Sequence, residues 1–433
     1  MGKETFFRNI FEVPAAHLVL ISKDLSIKEI PYWDIDFNSP LKLDTQKAIE
    51  QLIFLLKKSL IKIKNFNCKS VIFQSRGIDS VLLSIFLKFI NLNSSALTIA
   101  FDIKKYDESS EAKKICEIFG IQNDIFQING KIYSQNLPKA IWFNDEPLRY
   151  PGAVSFYIAC EKLSKELSHV IFGEGADVLF AGYPMYYLIY LTKLPCWIKI
   201  LLQHFIFKMP FTLFSSLNKK KKILQVLKCT VQEYLVYSTL YSSPEEVNIL
   251  LKKQNKSYFL KRLKIAKSLK NNGDFRKYLL YLDLKSLSIP EKMVVNSGKI
   301  PFYPFLDYNL VEFVNALPMA LKVRSFKPKY LLKKMAEKFL PKSIIYQKKS
   351  GFGTPLEYWF RDKNSLGKYL QMLEEDRTLD RGIFNPDELI KIAHQFKHGK
   401  RPPEDYDGLL WTIVNLELWH RIFIDQDYES EYC

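Results

Sequence analysis

The stretch Val71–Leu83, VIFQSRGIDSVLL, places the tightest constraint on how this chain can fold. An apolar run too short for a helix meets a polar loop around one glycine, and a longer apolar run follows at once. SVIFQ reads as a buried strand, and Val81 to Ile90, apolar on nearly every side, as a buried helix. Upstream, LDTQKAIEQLIFLLKKSLIKIKN carries Ile49, Leu52, Ile53, Leu56 and Leu60 at helical spacing, with Thr45 as the expected N-cap. Downstream come a strand, ALTIAF, and a helix, DESSEAKKICEIFG, closed by Gly120. A helix over about 153–166 then precedes the strand HVIF. Strands and helices that alternate over short connections predict an α/β fold: a parallel sheet with helices on both faces, over roughly residues 45–185.

From about Tyr186 the texture changes. Strand candidates vanish, apolar residues recur at helical spacing, and Lys-rich loops intervene. Residues 186–425 are expected to be mostly helical. In SSPEEVNILLKK, Ser243 is the expected N-cap and Glu246, three residues on, completes a capping box. Leu188–Leu217 is the most apolar stretch, but Lys193, Pro195, Lys199, His204, Lys208 and Pro210 interrupt it. It should not span a bilayer. Packed helices are the expected outcome, with peripheral contact at a membrane surface as the alternative.

The 433 residues are 48% apolar, which suits a globular chain with a large core. Lys and Arg exceed Asp and Glu by 63 to 46, a formal charge of +17. Such a balance favours an acidic partner such as a nucleotide, nucleic acid or anionic lipid. The lysines are spread along the chain, however, and Lys219–Lys222 is the one dense run. The six cysteines have neither CxxC nor zinc-ligand spacing, and residues 1–20 show no cleavable signal pattern. A reducing cytoplasm is the expected location.

The loop itself has a chemistry. A loop between a parallel strand and a helix lies at the carboxyl edge of the sheet, where open α/β folds bind ligands. Free N–H groups at the helix start favour an anion, and Gly77 lets the backbone approach it. Ser75 and Ser80 add hydroxyls, and Arg76 a planar cation suited to phosphate. Asp79 would repel phosphate unless Mg²⁺ sits between them. A second stretch, VIFGEGADVLFAGY (Val170–Tyr183), again places a glycine and acid loop after an apolar strand. If the two strands are near neighbours, Asp79 and Asp177 can share one metal, with Glu174 beside them. Neither GxxxxGK[ST] nor GxGxxG in the right context is present.

SRGIDS and FGEGADVLFAGY resemble the SGGxDS and SGEGADELFGGY of asparagine synthetases and the wider asparagine-synthase-like ATP pyrophosphatases. YDESSEA, NDEP (Asn144–Pro147), PFLDYNLVEFVNALP, KKSGFGTPLEYWF and NLELWHRIF resemble further blocks of that family, in family order, from about residue 10 to 425. The resemblance implies an adenine-nucleotide pyrophosphatase-type, Rossmann-like fold. Residues 41–185 would be the nucleotide-binding core, and 186–433 a mainly helical region completing the active site. It implies ATP and Mg²⁺, and adenylation of a carboxylate followed by attack of an amine. Ser75, Gly77, Asp79 and Ser80 match the pyrophosphate loop, which Arg76 joins, and Asp177 matches the second metal carboxylate. Phe73, Phe101 and Gly173 fall where the family's backbone meets adenosine. Glu174 matches the acid that handles the amine's proton, a sensible general base. Lys349 matches a lysine that would stabilise charge on phosphate and carbonyl oxygens. Tyr183, Lys292, Ile300 and Phe302 fall at the substrate pocket.

The departures carry information. Residues 1–40 resemble only the tail of the family's glutaminase part, so the amine is expected as free ammonia, from a separate glutaminase subunit, or on the substrate itself. Glu291 and Lys292 keep the charges of a family Asp-Arg pair, while Ile300 and Phe302 replace a Glu and an Arg. Val294 and Val295 replace Ser-Met, Gln347 an arginine, Val178 a glutamate and Phe172 a serine. Less polar walls pair poorly with free aspartate. A larger acid is expected, such as an acidic sugar, a peptide side chain or another carboxylate-bearing small molecule. Arg76, in place of a family glycine, either clamps pyrophosphate or blocks the site. The competing readings are a cyclase closing a lactam or peptide ring, a tRNA-modifying relative, disfavoured because no RNA-binding module is recognisable, and a non-catalytic homologue.

Overall fold

The computed structural model describes residues 3–36, 41–66, 69–209, 217–238, 240, 242, 244–253, 257–269, 272–325, 327–347, 353–402 and 405–427. Its centre is a five-stranded, all-parallel sheet. The strands are β3 (Lys69–Phe73), β4 (Ser94–Phe101), β5 (Asn123–Ile128), β6 (Leu167–Ile171) and β7 (Ile300–Phe302), in spatial order β5-β4-β3-β6-β7. The chain builds outward from β3 through helix α2 (Ile78–Phe89) to β4, and through α3 (Ser109–Ile118) to β5. It then returns over α4 (Gly130–Asn144) and α5 (Gly152–Glu161) to lay β6 on the other side of β3. The strand order therefore reverses between β3 and β6, and a crevice opens at that point beyond the strands' carboxyl ends.

The alternation of side chains explains why the strands look apolar throughout. Val71, Leu97 and Val170 point into one core with α4, α5 and the C-terminal helices. Ile72, Ala96 and Ile171 point into the other with α1 (Thr45–Lys64) and α2. The central positions of β3 and β6, Ser70–Ile72 and His169–Ile171, are thus buried whichever face they point to, as expected of a parallel sheet covered on both sides. Nine of the twelve residues of α2 are buried.

Three expectations are corrected, and a fourth, the capping box at Ser243, falls on a residue outside the described ones. The N-cap of α1 is Asp44, whose side chain accepts from Lys47 N at 2.8 Å, rather than Thr45. A capping box is found at Thr230 and Glu233. The region after Tyr186 does contain a strand: β7 runs parallel to β6, with Ile171 opposite Phe302. Three residues containing a proline give no period to read, and Pro301 is tolerated because β7 is an edge strand. Finally, residues 196–208 form a helix that is only half packed, with no fully buried residue.

The N-terminal residues also hold structure: an antiparallel pair, β1 (His17–Ile21) and β2 (Ile27–Pro31). The segment after it is tied down by Trp33, whose indole donates to Glu312 at 2.8 Å, and by Asp34, which accepts from Lys277 and Tyr281. Residues 272–296 form one long helix, and most of the remaining described chain beyond it is helical too.

Candidate active site

The crevice between β3 and β6 is built from the two loops singled out in the sequence. Because Ile72 pairs with Ile171, both loops leave the sheet at the same level. The first is folded by its own hydroxyls. Ser80 Oγ accepts from Ser75 N at 3.1 Å and donates to Gly77 O at 3.1 Å, and Ser75 Oγ accepts from Gly77 N at 3.0 Å. Gly77 then caps α2 without any side-chain acceptor of its own, so the first N–H groups of the helix face the crevice. Below it, the buried Gln74 bonds Ser84 at 2.5 Å and Ser80 at 3.2 Å, fixing the helix against the strand.

The second loop turns at Gly175, whose φ of +93° and contact with Leu306 suit glycine alone. Gly173 lies against the start of α2, where a Cβ would stand 3.2 Å from Ser80 N. Gly182 permits the closest approach. A Cβ there would fall 1.9 Å from Asp177 Oδ1 and 2.6 Å from Lys329 Cε.

Asp79 and Asp177 do meet across the crevice, and a residue that sequence reading missed joins them. Lys329 Nζ lies 2.5 Å from Asp79 Oδ2 and 2.9 Å from Asp177 Oδ1. Lys329 is 4% exposed, and its backbone is left-handed with φ of 59°. Burial alone would lower its pKa, but the two carboxylates outweigh burial and raise it, so it stays charged. Nothing marks Lys329 out in the sequence. It is one of many lysines and lies 250 positions from Asp79. The two carboxylates fit a cation in two senses. They already hold an ammonium between them, and they would give Mg²⁺ two oxygen ligands, with phosphate oxygens and water supplying the rest. Among the described residues no group of three or more His, Cys, Asp or Glu gathers around a metal position. Such a metal would therefore depend on its nucleotide.

Glu174 stands next to this pair. Burial first, and then the charges of Asp79 and Asp177, push its carboxyl up to about 7, against an opposing backbone hydrogen bond. A carboxyl so placed can exchange a proton near neutral pH. Beneath it an aromatic cluster continues across three strands. Phe73 packs on Phe172 at 5.0 Å, both touch Phe156, and Phe172 stacks on Tyr303 at 5.3 Å. The Tyr303 hydroxyl is buried without a hydrogen-bond partner, and its pKa is raised by burial and then by Glu174 and Glu291. Tyr303 was also missed, although its place immediately before PFLD could have pointed to it.

The Arg76 side chain is engaged by acids at the start of α3. Its guanidinium turns away to Glu108 at 3.0 Å and Glu111 at 4.0 Å, at the start of α3. Arg76 is not among the residues with positive φ, so a side chain is accommodated there. Its carbonyl accepts from Gln347 at 2.5 Å, which anchors the loop from the far side. Phe101 packs edge-on against Trp359 at 5.8 Å. Lys292 donates to Asn144 O at 2.8 Å and pairs with Asp145 at 3.2 Å, at the end of α4. Ile300 is exposed, Tyr183 is exposed near the second loop, and Phe302 packs into the core with Leu306. Lys349 lies outside the described residues.

A doubly wound parallel sheet with two glycine-and-acid loops at its switch point defines an open α/β protein with a crevice there. The family model for asparagine synthase matches residues 70–421, and the chain belongs to that family. Similar proteins include asparagine synthetase [glutamine-hydrolyzing] 1 of Bacillus subtilis, 25% identical over 96% of this chain and 67% of the relative. Asparagine synthetase [glutamine-hydrolyzing] 3 of the same organism is 23% identical over 80% of this chain and 54% of its own length. The amidase chyE of Penicillium rubens is 20% identical over 82% and 60%. The chain thus spans between about half and two-thirds of the length of these relatives.

Proposed function

We propose that this chain is an ATP-dependent amide ligase that adenylates a carboxylate, releases pyrophosphate, and passes the acyl group to ammonia or another amine. Family membership supports an amide ligase of this kind. The observation that carries the reading is that Asp79 and Asp177 meet across one cation, the Lys329 ammonium, with Glu174 beside them, at the switch point of the sheet.

The α2 N–H groups and the hydroxyls of Ser75 and Ser80 receive the phosphates leaving as pyrophosphate. Lys329 supplies fixed positive charge where negative charge grows as that bond breaks. Asp79 and Asp177 would hold Mg²⁺, which would neutralise charge on the phosphate oxygens. Glu174, ionised above about pH 7, takes the proton from the attacking amine. Lys349 and the backbone at Phe73, Phe101 and Gly173 keep the roles that the family resemblance suggests for them.

The acid is larger and less charged than aspartate. Phe172 and Tyr303 make the surroundings apolar, and the Tyr303 hydroxyl offers one donor for a substrate oxygen. The test is to incubate the protein with ATP, Mg²⁺, ammonia and a library of carboxylic acids. AMP, pyrophosphate and a new amide should appear in equal amounts, with larger acids preferred over aspartate. ADP and phosphate as products would refute the adenylation, and aspartate as the best acid would refute the pocket assignment.

A further inference from the structure

The helix Cys196–Lys208 (CWIKILLQHFIFK) presents an apolar face to solvent. Trp197 is 64% exposed, Ile200 58%, Leu201 61% and Phe205 60%. Their spacing of three, one and four puts them on one stripe of the helix. The opposite stripe is the packed one. Gln203 donates to Leu227 O at 3.1 Å, and Lys199 to Cys229 O at 3.4 Å. The helix Leu217–Lys228 therefore runs antiparallel alongside. Its first turns, at positions 219–222, come to the end where Phe205 and Lys208 lie.

The charge of the sequence on either side of this helix is one-sided. Between Asp177 and Glu233 the sequence has no Asp or Glu at all, yet it has eight lysines: Lys193, Lys199, Lys208, the run Lys219–Lys222, and Lys228. A protein groove that accepted this helix would fit the apolar stripe, but it would leave most of that charge unanswered. An anionic lipid surface answers both features. Bulky aliphatic and aromatic side chains enter the boundary between headgroups and chains, and lysines around them meet the phosphates. The helix is about 20 Å long at 1.5 Å per residue, which suits lying in the interface rather than crossing it. Among the described residues no helix is long and apolar enough to cross a membrane.

We propose that the Trp197–Phe205 face, with its flanking lysines, docks this protein on the surface of an anionic phospholipid bilayer. The stripe is separate from the switch-point crevice, so docking would hold the ligase at a membrane without using its catalytic groups.

The full chain should co-sediment with vesicles of equimolar phosphatidylglycerol and phosphatidylcholine, and bind vesicles of phosphatidylcholine alone at least about tenfold more weakly. Raising the salt to about 0.5 M should release most of it. The double variant Trp197→Ser/Phe205→Ser should lose roughly tenfold or more in binding to the anionic vesicles, with an unchanged melting temperature, because both side chains are already in water. A single charge change, Lys208→Glu, should weaken binding in the same direction by a smaller factor. Equal binding by the double variant would overturn the proposal. So would no binding by the wild-type chain, or a dimer that the double variant abolishes while lipid binding is absent. Loss of ATP binding in Asp79→Asn leaves these results unchanged, which separates failure of the ligase reading from failure of this one.

Discussion

Two buried charge clusters in this protein differ in how completely they are satisfied. Near the C-terminus, Glu417 is 1% exposed and receives Arg381 through two bonds, 2.7 and 3.0 Å, and Arg421 at 2.8 Å. Arg381 and Arg377 go on to Asp425, holding its carboxyl down to about 2, chiefly through the Arg381 hydrogen bond. Every charge there has a forked partner of opposite sign. At the crevice, among the described residues, the Lys329 ammonium bridges two carboxylates, and a third, Glu174, is raised to about 7 beside them. The first cluster is closed and staples the C-terminal helices together. The second brings three carboxyls together, which suits a site that receives Mg²⁺ with its nucleotide.

Breaking each cluster should therefore have different consequences. The largest effect expected is from Asp177→Asn: pyrophosphate release should fall by at least about ten-thousandfold, with the thermal unfolding curve little changed. Unfolding of that variant would mean the crevice is a structural cluster like the other. Glu417→Ala should do the reverse. Leaving Arg381 and Arg421 without their buried partner should cost about 3–5 kcal/mol of stability, read as a shift of the denaturant midpoint, while folded molecules still bind ATP normally. Glu174→Gln should lower amide formation about a hundred- to thousandfold but spare acid-dependent pyrophosphate release. In the wild type the amide-forming rate should rise with pH through about 7, as the raised carboxyl loses its proton. A flat profile there would remove Glu174 as the base. The smallest effect belongs to Arg76→Ala. Its partner Glu108 is outside the crevice and the pair is partly solvated, so ATP affinity should change only about two- to threefold.

The acid side of the closed cluster has its own signature. Asp425 is lowered from its ordinary value, so its contribution to stability is present above about pH 4 and is lost as pH falls toward about 2. Arg377→Ala with Arg381→Lys should flatten the acid limb of the stability curve over that window.

The parts of the site that were legible in the sequence are those carried by local pattern. SRGIDS and GEGAD each follow a strand buried on both faces, and the apolar run, the glycine and the acid lie within a few residues of one another. That Asp79 and Asp177 could meet was conditional on their strands lying near each other, and β3 and β6 are neighbours in the sheet. Lys329 was not legible because its partners are 250 and 152 positions away and no spacing rule connects them. Arg76 was legible as an anomaly but not in its outcome, since Glu108 is reached only once α3 is packed. β7 was too short to show a period. The helix at Cys196–Lys208 was read as packed because apolar composition says that a surface needs covering, not that the fold covers it.

The central claim is that the crevice between β3 and β6 binds ATP with Mg²⁺ through Asp79 and Asp177. Calorimetric titration of the full chain with ATP in the presence of Mg²⁺ tests it without knowledge of the acid. One ATP should bind per chain. Removing Mg²⁺, or substituting Asp79→Asn, should weaken binding by at least about a hundredfold, and Arg76→Ala by no more than a few-fold. A wild-type chain that takes up no ATP, or an Asp79→Asn variant that binds as tightly as the wild type, would contradict the account.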